Sequence, residues 1–98
     1  MAEFFVYVLR CADGTLYVGS TDNIERRVVE HQLGKGAKYT RGRAPVRVVY
    51  LETFPSRSEA MRREKAVKKL GKAGKEKLVE RFGLEGKTGP RRGPEQVG

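Results

Sequence analysis

The chain has a single cysteine, a single histidine and no tryptophan, and these scarcities remove whole classes of protein. One thiol, Cys11, cannot close an internal disulfide, and no His/Cys cluster has the spacing of a zinc site. Cys11 reads as a small hydrophobe at the end of a strand. No apolar run approaches the roughly 20 residues that a membrane-spanning helix needs. No amphipathic segment has the aromatic-rich apolar face of a membrane-surface helix. The N-terminus offers an acidic residue and a strand-like run where a secretory leader would have a basic stretch and an apolar core. The expected compartment is therefore reducing and cytoplasmic. Acidic side chains are also scarce, 12 against 21 lysines and arginines, so 98 residues carry a net charge of +9. A small domain this basic is expected to meet a polyanion, and counterion release would give it salt-sensitive affinity for nucleic acid. A merely soluble basic protein is the plain alternative.

What is present is periodic. The length suits one domain with a modest core. Residues 4–9 are apolar at every position, with β-branched and aromatic side chains, the pattern of a strand covered on both faces and so of a central strand. Ala12-Asp13-Gly14 is turn chemistry, and Thr15-Leu16-Tyr17-Val18-Gly19 follows as the second arm of a hairpin. Loop length decides which face each tyrosine takes. A two-residue turn would set Tyr17 opposite Arg10. A three-residue loop with Gly14 in the left-handed region sets it opposite Leu9, and Tyr7 and Tyr17 then share a face. The three-residue loop is the expectation.

Thr21 or Asp22 is the expected cap of a helix, with Glu25 completing a capping box. Ile24, Val28, Val29 and Leu33 form its apolar stripe, and Gly34-Lys35-Gly36 ends it. Residues 37–45 are basic and irregular, and 46–54 form a third strand stopped by Pro55. Ser56 or Ser58 caps a second helix running to about Leu70. Gly71 and Gly74 interrupt it, and a short helix with Leu78, Val79 and Phe82 follows. Residues 1–84 make the folded domain, and the basic, Gly/Pro-rich residues 85–98 are expected to be a disordered tail. The fold class is α/β of the α+β type: a small three-stranded antiparallel sheet flanked by helices, in the order β-β-α-β-α-α.

Several residues sit where chemistry could use them. The apolar arc of the second helix is made by Ala60, Met61, Val67 and Leu70, and at 100° per residue Glu64 falls inside it. A carboxylate on the core side needs a partner; an arginine or a divalent metal ion would serve equally. Arg27 and His31 lie four apart on one face of the first helix, beside its apolar stripe. From there Arg27 could grip a phosphate with bidentate geometry, or it could be an ordinary solvated arginine, the role expected of Arg26. Two tyrosines on one sheet face are either packing or, beside a basic helix, part of a site.

Val6-Tyr7-Val8, followed ten positions on by Tyr17-Val18-Gly19, resembles the GIY-YIG signature, with Val-Tyr-Val standing for Gly-Ile-Tyr. Arg27 and Glu64 then fall on the helices where that superfamily carries its arginine and its metal-binding glutamate, and His31 at a position that is histidine or tyrosine in related nucleases. The run Gly36-Ala37-Lys38-Tyr39-Thr40-Arg41-Gly42, with Val49-Tyr50-Leu51-Glu52, resembles the small stand-alone members in particular. The resemblance covers about residues 3 to 82. The first tripeptide lacks its glycine, no asparagine follows Glu64, and Ser20 stands where repair-enzyme members have lysine.

The resemblance implies a metal-dependent endonuclease that hydrolyses phosphodiester bonds, in DNA more than RNA and in a repair or recombination setting. Tyr7, Tyr17, Arg27, His31 and Glu64 would form the catalytic set, with Glu64 holding one Mg²⁺ or Mn²⁺ ion. Tyr17 would help deprotonate or position the attacking water, and Tyr7 would hold the phosphate or the metal-bound water. Lys35, Lys38, Tyr39, Arg41 and Arg43 would grip the flanking backbone. A catalytically weak or inactive binding module of the same fold is the alternative. A monomer or weak homodimer is expected, with a partner protein as a further possibility.

Overall fold

Phe4–Arg10 forms β1, and β1 takes the middle of the sheet because its neighbours can bury both of its faces: Val6, Tyr7, Val8 and Leu9 are all fully buried. The computed structural model describes residues 3–84, and the expected tail, 85–98, lies outside them. After β1 come β2 (Leu16–Thr21), α1 (Ile24–Gln32), β3 (Arg47–Phe54), α2 (Arg57–Lys68) and α3 (Gly71–Phe82). The strands lie in the order β2-β1-β3, antiparallel throughout.

The hairpin closes through Ala12-Asp13-Gly14, with Cys11 N–H donating to the Thr15 carbonyl at 2.8 Å and Gly14 at φ +88°. Only a residue without a Cβ takes that φ readily. Leu9 then faces Tyr17 and Tyr7 faces Gly19, so Tyr7 and Tyr17 share one sheet face as the three-residue loop requires.

Alternation along β1 makes two cores. Tyr7, Leu9 and Cys11 look toward α1, where Ile24, Val28, Val46 and Val48 join them. Val6 and Val8 look toward α2 and α3, packing with Val18, Val49, Tyr50, Ala60, Val67 and Val79. A bulge between Val8 and Leu9 pairs Val8 with Tyr50 and Leu9 with Val48. The extra residue lets Val49 and Tyr50, neighbours in sequence, both join the α2/α3 side.

Helix ends and faces depart from the sequence reading in four places. The cap of α1 is Asn23, not Thr21 or Asp22, and its side chain accepts from the Arg26 N–H. Thr21 is still β2, and its hydroxyl accepts from the Asn23 N–H, so the chain turns one residue later. Val29 and Leu33 are exposed, whereas Ile24, Arg27, Val28 and His31 turn inward. At 100° per residue those four span an arc of about 100°, which the sheet can cover, and the other two lie outside it. On α2, Ala60 and Val67 are buried while Met61 is exposed, and Leu70, expected at its end, lies exposed beyond Lys68. Finally, α3 begins at Gly71 and runs through Gly74, so one break separates α2 from α3. Ser56, one of the two expected caps, holds the start of α2 by accepting from Glu59 N–H.

Candidate active site

Tyr7 is fully buried, and its ring lies directly over Gly19 of the neighbouring strand. A Cβ at position 19 would run into the phenol, so the glycine of Tyr17-Val18-Gly19 supplies the space that Tyr7 occupies. The phenol meets His31 on α1, Oη to Nε2 at 2.9 Å. The other ring nitrogen, Nδ1, meets Thr40 Oγ1 at 2.8 Å, and that hydroxyl donates onward to the Ala37 carbonyl at 3.0 Å. The order of donors follows from this chain. With the Thr40 proton used on Ala37, His31 Nδ1–H must donate to Thr40, which leaves Nε2 to accept the Tyr7 proton. Gly36 closes the pocket, since any side chain there would strike the imidazole.

Two charges border this buried row. Arg27 lies against the Tyr7 phenol while donating to Glu30 Oε1 at 2.9 Å and to the Gly36 carbonyl at 3.1 Å. Burial pushes the Tyr7 pKa up to about 12, and the Arg27 guanidinium pulls back against that rise. The same burial, with the Arg27 charge, holds the His31 imidazole below its ordinary value, opposed by Glu30. Both groups are therefore neutral near neutrality, as the donor order requires.

In front of this row the site opens. Tyr17 is partly exposed, with its ring 5.1 Å from the His31 ring and 6.3 Å from that of Tyr7. Tyr39 stacks on it at 5.9 Å and 25°, and the Arg43 guanidinium covers Tyr39 at 4.5 Å while pairing with Asp13 in the hairpin loop. Lys35, Lys38 and Arg41 are exposed on the loop that Thr40 anchors. Of the residues singled out from the sequence, Tyr7, Tyr17, Arg27, His31 and Tyr39 thus cluster over one sheet face. Arg43 braces Tyr39, and Arg26 points to solvent between Asp22 and Glu30.

Glu64 comes from α2, on the other face, and reaches the same edge of the sheet at Ser20, next to Gly19. Ser20 Oγ donates to Glu64 Oε1 at 2.6 Å, and Lys68 Nζ lies 2.8 Å from Oε2. The Glu64 charge is close enough to Tyr7 to oppose loss of its proton. Among the described residues no three His, Cys, Asp or Glu side chains converge on one point. A cage of protein ligands is therefore not what this edge offers. Glu64, an oxygen donor already attracting the Lys68 ammonium, is the residue that would hold a hard divalent cation here.

Sequence reasoning passed over Thr40, Gly36 and Lys68. Thr40 lay inside a run noted for its basic residues, and nothing local distinguishes a buried threonine from a loop one. Gly36 read only as a helix stop. Lys68 is one of two lysines in the last turn of α2, and its i+4 spacing from Glu64 is the one local signal of the pairing.

Residues 3–77 match the family model described as the GIY-YIG catalytic domain. The chain is 60% identical to a UPF0213 protein of Natronomonas pharaonis over 78 residues, 80% of this chain and 92% of that one. Among solved structures it resembles the solution NMR structure of a UPF0213 protein from Bacillus halodurans, with TM-score 0.54, 50% identity, and 90% and 88% of the two chains covered. A solution NMR structure of a protein from E. faecalis has TM-score 0.57 and 45% identity, covering 82% and 85%. No helix among the described residues is long and apolar enough to cross a membrane.

Proposed function

This chain belongs to the GIY-YIG family, and from that premise we propose that it is an endonuclease that hydrolyses phosphodiester bonds with one divalent metal ion. DNA in a repair or recombination setting is the substrate we favour. The observation that carries the reading is the meeting of Tyr7, Tyr17, Arg27 and His31 over Gly19, with Glu64 arriving beside them at Ser20. A purely structural tyrosine pair would not need an arginine held against it by two further hydrogen bonds.

The roles follow from exposure and charge. Arg27, fixed by Glu30 and the Gly36 carbonyl, faces the phosphate and balances the charge that grows on its oxygens. Tyr17, the accessible tyrosine, accepts a hydrogen bond from the attacking water and aims it at phosphorus. The water's proton passes to solvent, the bond to the leaving oxygen breaks, and that oxygen takes a proton from solvent. Tyr7 and His31 are positioning residues: a neutral phenol whose proton is committed to Nε2 holds Arg27 and Tyr17 in place. Glu64 would hold the metal ion, which when bound neutralises phosphoryl charge. Lys35, Lys38 and Arg41 grip flanking phosphates, which orients substrate without reading sequence.

The test is cleavage of labelled single-stranded, duplex, flapped and branched DNA in Mg²⁺ and Mn²⁺ at low salt. Metal-dependent cutting by the wild type, abolished in Arg27→Ala and Glu64→Gln, is the expected result. Equal tight binding by all three proteins with no cutting of any substrate would replace the enzyme with a binding module of the same fold. Cutting indifferent to both substitutions would place the chemistry elsewhere.

A further inference from the structure

Glu64 is the proposed metal ligand, yet both of its oxygens are engaged: Oε1 by Ser20 and Oε2 by Lys68 one helical turn on. The two partners are not equivalent. Ser20 is a neutral donor on β2, whereas Lys68 is a cation on a flexible stem whose side chain is 50% exposed against 19% for Glu64. A divalent ion approaching Oε2 meets an ammonium already there, and like charges so close oppose each other.

Lys68 also lines something else. With Leu16, Tyr17, Val18, Tyr39 and Lys75 it borders a groove of about 350 Å³ along β2, an outer strand of the sheet. The groove continues past Leu16 and Tyr39 to Thr15, Lys72 and Lys75. Its apolar floor and tyrosine wall suit the face of a base or sugar, its three lysines suit phosphate oxygens, and among the described residues no carboxylate lines it. It starts at Tyr17, where the attacking water is placed, so a strand bound at the site would run into it.

We propose that Lys68 has two positions: on Glu64 when this groove is empty, and on a phosphate of a nucleic-acid strand when the groove is filled. This rests on Glu64 being the metal ligand. The lysine stem spans both places by rotation about its own bonds, so no backbone motion is required. Nucleic acid that draws Lys68 away leaves Oε2 open to metal. By linkage, metal that displaces Lys68 frees it for phosphate, so each ligand tightens the other. The free protein holds metal weakly and becomes competent only on a substrate, a restraint on stray cutting built into one helical turn.

The test reads Mn²⁺ binding directly, from the EPR signal of free Mn²⁺, with and without a short phosphorothioate DNA strand. Glu64→Gln with the same strand supplies the background from Mn²⁺ on the DNA itself. In the wild type the strand is expected to tighten Mn²⁺ binding by about tenfold, within the usual range of such couplings. Lys68→Gln is expected to bind Mn²⁺ as tightly alone as the wild type does with the strand, and to gain nothing further from it. Replacing Lys72 and Lys75 together by glutamine should weaken the strand's effect and leave Mn²⁺ binding by the free protein unchanged. Lys68→Gln that binds Mn²⁺ as weakly as the wild type, or keeps the wild-type gain, overturns the proposal. Wild-type binding no better than that of Glu64→Gln in every condition overturns the metal-ligand reading beneath it.

Discussion

His31, the only histidine of the chain, sits beside the apolar stripe of its helix by sequence and is fully buried in the structure. Its sequence position said that it shared a helix face with Arg27; only docking of α1 on the sheet put it between Tyr7 and Thr40. Two opposite pH effects follow. Because the folded imidazole has a lowered pKa, the unfolded chain binds that proton where the folded chain does not. Stability is therefore present above the ordinary histidine value of about 6.5 and falls as pH drops below it. His31→Phe should flatten this acid slope in urea titrations between neutral and mildly acidic pH. Tyr7 behaves inversely: with its pKa pushed up to about 12, the folded state keeps a proton that the unfolded chain releases from about pH 10. Roughly 2 to 3 kcal/mol of stability should disappear across that window, and Tyr7→Phe should remove that part of the alkaline loss, leaving the part that buried Tyr50 contributes. Thr40→Val leaves His31 Nδ1–H without its acceptor and should cost about 1 to 3 kcal/mol, read as a lower urea midpoint with unchanged slope. Gly19→Ala should lower cleavage as well as stability, since the new methyl displaces the phenol that holds Arg27.

At the scale of elements, apolar periodicity told where helices lie better than where they start or which way they face. Asn23, not Asp22, caps α1 because β2 runs on through Thr21. Asn23→Ala should thus destabilise the protein by about 1 kcal/mol, as should Ser56→Ala at α2, while Asp22→Ala should have a smaller effect. Thermal melts of the three variants rank them directly. The inward tilt of Glu64 was legible, because Ala60 and Val67 mark the buried side of α2 and Glu64 lies about 40° from Ala60. Its partners were not: Ser20 is 44 positions away in sequence. Arg63 beside it pairs with Glu52 on β3 at 2.8 Å. Neighbouring charged residues of one helix thus take separate strands for partners, a choice that spacing alone does not make. The hairpin was the opposite case, since loop length and Gly14 were enough to set the tyrosine register.

Over the whole molecule, a sheet with α1 on one face and α2 and α3 on the other leaves its β2 edge as the place where residues from both layers meet. Arg27 and His31 arrive there from one side and Glu64 and Lys68 from the other, around Gly19 and Ser20. The net charge of +9 has its consequence at this scale too. Affinity for DNA should fall linearly in a plot of log K against log salt, and replacing Lys35, Lys38 and Arg41 by alanine should reduce the slope by about 2 to 3. Fluorescence anisotropy over a salt series measures it, and an unchanged slope would remove that loop from the contact surface.

By itself the sequence determined the element order, the central place of β1, the shared face of Tyr7 and Tyr17 and the inward set of Glu64. All four follow from short-range periodicity and turn chemistry, which act within a few residues. The tertiary structure alone decided that His31 is buried between Tyr7 and Thr40, that Nε2 accepts the hydrogen bond of the Tyr7 phenol, and that Lys68 pairs with Glu64 while bordering a groove. Each of these depends on partners brought together by helices docking on opposite faces of one sheet. The energy of a buried hydrogen bond or ion pair lies in a neighbour's distance and in the exclusion of water, and neither is written in the spacing along a chain.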